Sequence, residues 1–377
     1  MPLTIGFDAK RVFENATGLG SYGRTVVRNL RRAMPEVGVY LFAPRLALDN
    51  LAPDLIADPA VTTLLPSMAW QRPLWRPWLM CDAIARSKVD VFHGLSNELP
   101  IGIERIQCRS VVTIHDLIFR FFPDQYSLID RTVYDYKSRR ACKSAHHIIA
   151  ASESARRDIV ECYNIDPSKI SVVYQGCDAS FYSRLPAAAL DAVRIRYGLS
   201  KEYLFTLGTM IERKNLFGLV RAWSQLPRSC AIPLVVVGRQ TQYSDRVKTW
   251  LRQQGLESSV HFLSGVPNTD LPALYQGARA FAFPSHYEGF GIPVLEALAS
   301  GIPVVTSSVS SLPEAGGSGA VLVDPASPDE IAAALERVLA DESVRGRLAI
   351  EAPRHLERFT PERLISDLVQ VYQDVMK

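Results

Sequence analysis

Short β-branched runs alternate with helical patterns from one end of the chain to the other, which confines it to an α/β fold of parallel sheets joined by crossover helices. In the first half, strands are expected at residues 3–9, 39–43, 61–65, 89–93, 110–115, 147–151 and 170–175. Their nearly continuous apolar character suits strands covered on both faces. Between residues 177 and 200 the pattern loosens around Pro186 and a run of alanines, which reads as a linker. The alternation then resumes, with strands at 203–207, 233–237, 260–263, 278–283, 303–307 and 320–323 and helices at 216–225, 243–253, 271–276 and 292–299. A length of 377 residues accommodates two such domains. The expectation is two doubly wound, Rossmann-like domains in tandem, facing each other across a cleft where strand carboxyl ends gather a ligand. The expected partition is 1–180 and 181–357, followed by a last segment, 358–377, in which Thr360 caps a helix opened by Pro361 and running to Met376.

Composition narrows the partners. The 42 Lys and Arg against 39 Asp and Glu leave a net charge of +3, too weak a field to recruit nucleic acid over the whole surface. Six cysteines (Cys81, Cys108, Cys142, Cys162, Cys177, Cys230) are scattered without a C-x-x-C pair and read as reduced thiols rather than a disulfide framework or a zinc site. The start lacks the pattern of a signal peptide, and the longest apolar window, 111–122, is broken by His115, Asp116 and Arg120. The expected location is cytoplasmic.

Four segments carry chemistry. Gly18-Leu19-Gly20-Ser21-Tyr22-Gly23 is formally G-x-G-x-x-G, but eight residues separate it from its strand, and the second strand ends in Pro44-Arg45 without an acid for a ribose. It therefore reads as a glycine loop at a helix N-terminus, either a plain turn or a cradle for phosphate or sugar, and not as an NAD fingerprint. The strand-to-helix turn Gly208 to Asn215 offers Arg213 as a forked donor and Lys214 as a point charge for a diphosphate. The segment 283–297 joins a strand to a helix through Glu288-Gly289-Phe290-Gly291 and places Glu296 one turn into an apolar helix, where its charge requires polar partners such as sugar hydroxyls. Both acids belong to one loop-helix element, so they suit gripping one ligand better than flanking a bond for hydrolysis. His115-Asp116 ends a first-half strand; the ring is either a core histidine satisfied by backbone or a functional group, and His93 ends another strand in the same way.

Together, the E-x7-E element Glu288 to Glu296, the G-T-x-x-x-R-K-N segment, Thr113-Ile114-His115-Asp116-Leu117, the Thr17 to Gly20 loop and Leu312-Pro313-Glu314 with Gly316 resemble the retaining glycosyltransferases of family 4, which have the GT-B fold. The likeness runs in order through nearly the whole chain. It implies a C-terminal domain for a nucleotide sugar and an N-terminal domain for the acceptor. By position, Glu296 would hold the ribose. Glu288 with the amides of Gly289, Phe290 and Gly291 would hold the donor sugar. Arg213 and Lys214 would neutralise the diphosphate, Gly18 and Gly20 would close over it, and His115 would assist an oxocarbenium-like transition state by its carbonyl or ring. Thr209 departs from the Arg that many relatives carry there. The final helix would cross back to the first domain and make closure a hinge motion.

The resemblance to O-antigen mannosyltransferases favours mannose from GDP-mannose, with a UDP-sugar as the other donor, and a glycan or lipid-linked oligosaccharide of a surface polysaccharide as acceptor. No D-x-D triplet occurs, so neither metal nor other cofactor is expected. A nucleotide-sugar 2-epimerase and a non-catalytic nucleotide-sugar-binding subunit are the competing readings. Residues 70–80 concentrate Trp70, Trp75 and Trp78 with Arg72 and Arg76, a pattern for either packing on the sheet or peripheral contact with the inner face of the plasma membrane.

Overall fold

Thirteen strands, all parallel, form two sheets in the computed structural model, which describes residues 3–16, 18–46 and 51–377. The first unit comprises residues up to Gln175 together with Thr360–Lys377, and the second Gly176–Phe359. In the first, β1 (Thr4–Asp8), β2 (Gly38–Phe42), β3 (Val61–Leu64), β4 (Val91–Gly94), β5 (Arg109–Ile114), β6 (His147–Ala150) and β7 (Ile170–Val172) lie in the order β3-β2-β1-β4-β5-β6-β7. In the second, β8 (Leu204–Leu207), β9 (Leu234–Val237), β10 (Val260–Leu263), β11 (Ala280–Phe283), β12 (Val304–Ser307) and β13 (Ala320–Val323) lie in the order β10-β9-β8-β11-β12-β13. Apolar runs such as Leu234–Val237 and Ala280–Phe283 are buried at every position, because helices cover both faces.

The segment expected as a linker folds into the second unit. Residues Ala187–Arg196 form a helix, and Arg196 and Tyr197 both bond Asp270, at 2.7 Å each to Oδ2. The alanine run that loosened the apolar pattern is a strong helix former, and the segment's anchors are polar, so hydrophobic periodicity missed it.

The last helix, Pro361–Met376, belongs to the first unit, capped by Thr360 Oγ1, which accepts from the Arg363 amide at 3.2 Å. Leu364, Ile365, Leu368, Val371 and Tyr372 join the core formed by Val26, Leu30 and Ile5. A polar chain runs through this core. His93 Nδ1 meets the Tyr372 hydroxyl at 2.7 Å, His93 Nε2 meets Thr113 Oγ1 at 2.8 Å, and Thr113 Oγ1 lies 3.2 Å from the Tyr22 hydroxyl. Buried polar groups that satisfy one another in this way fix one arrangement of the elements that carry them.

Burial, and after it the neighbouring His115, pushes the His93 imidazole down to about 3. The unfolded chain protonates His93 near 6.5 while the folded one resists, so its contribution to stability is complete above that pH and declines as pH falls toward the folded value. Chemical denaturation between pH 6.5 and 4 should therefore show a stability slope that is smaller in His93→Gln by about 1.4 kcal/mol per pH unit.

Candidate functional site

Each sheet reverses its strand order once, between β1 and β4 in the first unit and between β8 and β11 in the second. At such a switch point the crossovers leave toward opposite faces, and the strand ends open a crevice to a ligand. The second unit's switch point is formed by the two segments singled out above, the loop leaving β8 at Gly208 and the loop leaving β11 at Pro284.

The loop after β8 is shaped by glycine and asparagine. Gly208 has φ +143°, and a Cβ on Gly238, after β9, would stand 1.9 Å from the Gly208 carbonyl oxygen, so the two backbones touch where no side chain fits. A 3₁₀ turn, Glu212–Lys214, then delivers the cations and ends on Asn215 in the left-handed region at φ +55°. Asn215 Oδ1 accepts from the Gly218 amide, starting the helix Leu216–Ser224, while its Nδ2 donates to Pro284 O at 3.0 Å and Pro325 O at 2.7 Å. One side chain thus staples three loops together.

Glu288 joins the predicted cations. Its Oε1 lies 2.6 Å from Lys214 Nζ and its Oε2 3.0 Å from Arg213 Nη1, which also donates to Tyr287 O. The Lys214 ammonium stands 4.6 Å from the centre of the Phe283 ring, a cation–π contact. Glu288 is only 8% exposed; burial opposes its charge, but Lys214 and then Arg213 outweigh that and hold its carboxyl below the ordinary value. Ser310, at φ +53°, accepts from the Glu288 amide at 3.0 Å, and the Ser311 hydroxyl lies 2.8 Å from both Glu288 O and Phe290 O. Gly291, at φ +121°, caps the helix Ile292–Ala299, and a Cβ there would come within 2.9 Å of Leu312.

Glu296 has a different environment. Burial pushes its carboxyl up to about 7, against a hydrogen bond from the Tyr275 hydroxyl at 2.9 Å that favours the charged form; Asp178 adds to the rise. No cation pairs with Glu296 among the described residues. Tyr275 is held by Phe181, Phe205 and Phe281, with ring centres 5.5, 4.8 and 5.1 Å away. Phe290, expected at the donor, turns its ring against Phe359 at 5.5 Å, so its side chain is core and its backbone is what the loop presents.

In the first unit the expected glycine loop is helix. Gly18 and Gly20 open Gly18–Ala33, preceded by the short helix Lys10–Glu14, and Thr17 lies outside the described residues. A Cβ at Gly20 would stand 1.8 Å from Asn15 O, so Gly20 is demanded by the close turn between the two helices; Gly18 has open space around it. The His115 ring is satisfied twice. Nε2–H donates to Leu95 O at 2.9 Å, since a carbonyl only accepts, and Nδ1 then accepts from Gln175 Nε2 at 2.9 Å. Burial pushes the ring down to about 4, so it is neutral at physiological pH. Of the clustered tryptophans, Trp75 is buried in the core while Trp70 and Trp78 are 63% and 53% exposed.

Sequence reading located both cations and both acids but not their braces. Asn215 stood next to Lys214 ahead of an apolar helix, which is a capping signal. Tyr275, Gly238, Ser310 and Ser311 carried no comparable mark, because their roles depend on contacts from distant strands.

A buried carboxylate between two cations makes a specific prediction. Glu288→Gln should lose about 3 kcal/mol of stability at pH 7 by leaving Arg213 and Lys214 uncompensated. The wild-type contribution is complete above about 4.5 and lost as pH falls through the lower folded value, so acid denaturation should show a slope in the wild type that the variant lacks.

A family model described as Glycosyltransferase Family 4 matches residues 16–181, and one described as Glycosyl transferases group 1 matches residues 194–355. The O-antigen chain mannosyltransferase B of Escherichia coli is 33% identical over 304 residues, 80% of this chain and 78% of that protein. The serotype-specific mannosyltransferase WbdA of the same species is 27% identical over 72% of this chain, which spans only 34% of WbdA's length. The structure of Anabaena Alr3699/HepE in complex with UDP and glucose superposes with a TM-score of 0.75 at 16% identity, covering 99% of this chain and all of the other, and establishes the shared GT-B fold. With its two parallel-sheet units and these matches, the chain belongs to glycosyltransferase family 4.

Proposed function

We propose that this glycosyltransferase moves a hexose, with retention of anomeric configuration, from a nucleotide sugar to a glycan or lipid-linked oligosaccharide in surface polysaccharide assembly. The observation that carries this reading is Glu288 bridging Arg213 and Lys214 at the β8–β11 switch point, with Glu296 in the helix that follows. Two cations against one carboxylate leave the site with an excess positive charge. That excess is suited to a diphosphate whose oxygens become more negative as the glycosyl bond breaks, and fixed charges aimed there stabilise the transition state more than the ground state. Pairing keeps Glu288 ionised, and its remaining lone pairs with the loop amides of Gly289 to Gly291 hold the donor sugar. Glu296 accepts from the ribose hydroxyls. On the acceptor side both His115 ring nitrogens are occupied, which favours its backbone carbonyl over its ring as the group that assists the oxocarbenium-like transition state.

Mannose from GDP-mannose is the favoured donor, because the relative that is 33% identical is named an O-antigen mannosyltransferase; a UDP-sugar is the other, since a neighbour of the same fold holds UDP and glucose. Trp70 and Trp78 offer a peripheral contact with the membrane's inner face. The protein acts in the cytoplasm and needs no metal, the diphosphate being neutralised by side chains.

A thermal-shift screen with GDP, UDP, ADP and dTDP tests the donor, the cognate nucleotide at a hundredfold excess over its Kd stabilising by about 2.7 kcal/mol. Because the ribose needs an ionised acceptor, affinity for that nucleotide should fall as pH drops through about 7. Glu296→Gln should bind about tenfold more weakly at pH 8 and show no such fall. Retention of full wild-type affinity and pH dependence by that variant would defeat the assignment. Separately, hexose transfer should proceed at an unchanged rate in EDTA; a loss of activity restored by Mn or Mg would count against metal-free catalysis.

A further inference from the structure

The first unit's switch point carries a charge cluster that the proposed chemistry leaves unused. Asp8, the last residue of β1, is 3% exposed and accepts from Arg76 Nε at 2.5 Å. Arg76 also donates to Ser96 Oγ at 3.1 Å and pairs with Glu98, whose other oxygen lies 2.8 Å from Lys137 Nζ. Lys10 and Arg11 begin the helix that directly follows β1. Four cations therefore surround two carboxylates at the ends of β1 and β4, and the nearby Glu14 is engaged by Arg45 at 3.1 Å.

The cations are under-compensated. Lys10, Arg11 and Lys137 all hold their protons less firmly than usual, first because burial penalises their charge and next because Arg76 repels them. The Arg11 Nε–H is buried without an acceptor among the described residues. Arg11 also stands close enough to His115 to depress its proton affinity, which puts the cluster beside the strand end assigned to the reacting sugar. An excess of positive charge, an orphaned guanidinium donor and the crevice of a parallel sheet together describe an anion site.

We propose that Lys10, Arg11 and Lys137 at the β1–β4 switch point form a subsite for an anionic group, phosphate or carboxylate, carried by the acceptor. The assignment rests on reading the first unit as the acceptor side; the cluster itself does not. Asp8 and Glu98 hold Arg76 in place and Glu98 also anchors Lys137, so the positive charge left over by these two carboxylates is shared by Lys10, Arg11 and Lys137 and is available to the ligand. The enzyme thereby selects acidic acceptors over neutral ones.

Titrations of the full-length protein, saturated with its cognate nucleoside diphosphate, with mannose 6-phosphate, glucuronate and neutral methyl mannoside test this. At least one acidic probe should bind more tightly than methyl mannoside, and Arg11→Gln and Lys137→Gln should each weaken it by about tenfold, the effect shrinking in high salt. The Lys137 side chain is 45% exposed, so that variant keeps the fold, which its thermal midpoint verifies. Preference for mannose 6-phosphate identifies a phosphate-bearing acceptor, and preference for glucuronate an acidic sugar. Equal binding of acidic and neutral probes, or acidic binding indifferent to both variants, overturns the proposal. So does a loss of nucleoside diphosphate affinity in the variants, which would give these cations to the donor. Failure of the donor reading shows separately, as nucleotide binding indifferent to Glu296→Gln.

Discussion

The ion pairs of Glu288 with Arg213 and Lys214 govern the second unit's functional edge. A carboxylate buried among loop backbones is tolerable only if opposite charges and hydrogen bonds replace the water it has lost. Here the replacement comes from a different loop, so the turn after β8 and the turn after β11 are held in one geometry by electrostatics rather than by apolar packing. Asn215, Ser310 and Ser311 extend the same logic to the backbone, binding the carbonyls and amides that a loop would otherwise expose. Preorganisation of this kind spares the site the reorganisation that solvent would need while charge develops on a leaving group.

Strand positions were legible because parallel strands covered on both faces are almost wholly apolar, and Leu234–Val237 and Ala280–Phe283 fall where the runs of Val, Leu, Ala and Phe place them. The acids and cations were legible because charges interrupting such runs at strand ends have few structural uses. What failed depended on other physics. The helix Ala187–Arg196 lies in a stretch read as a linker because alanine favours helices without marking an apolar face. Gly18 and Gly20 satisfied a loop pattern, yet Gly20 is needed for the contact with Asn15 O, a packing demand identical in sequence to a ligand's demand for space. His115 illustrates the same ambiguity: strand-end placement was visible, but the bonds to Leu95 O and Gln175 that satisfy its ring were not.

The polar chain Tyr372–His93–Thr113–Tyr22 bears on that ambiguity. The Tyr22 ring meets the His115 ring edge-on at 4.8 Å, so the chain ends against the residue whose backbone the proposed mechanism uses. A neutral imidazole bonded on both nitrogens and braced by a ring has little freedom to rotate, and rigidity at His115 Cβ is rigidity of its main chain. The last helix, through Tyr372, therefore contributes to the strand end as well as to the core.

Among the incompletely satisfied polar groups of the interior, two lie at a strand end or in the helix that follows one and bear on the two switch points. Glu296 is a buried carboxylate with a tyrosine donor and no cation, and Arg11 keeps a buried donor without an acceptor. Each is less stable than an apolar or fully bonded alternative at the same position, and sequences keep such features where a ligand completes them. Their polarities are opposite: Glu296 is an acceptor suited to hydroxyl donors and Arg11 a donor suited to an anion, which is what the proposed sugar donor and the proposed acidic acceptor would respectively require.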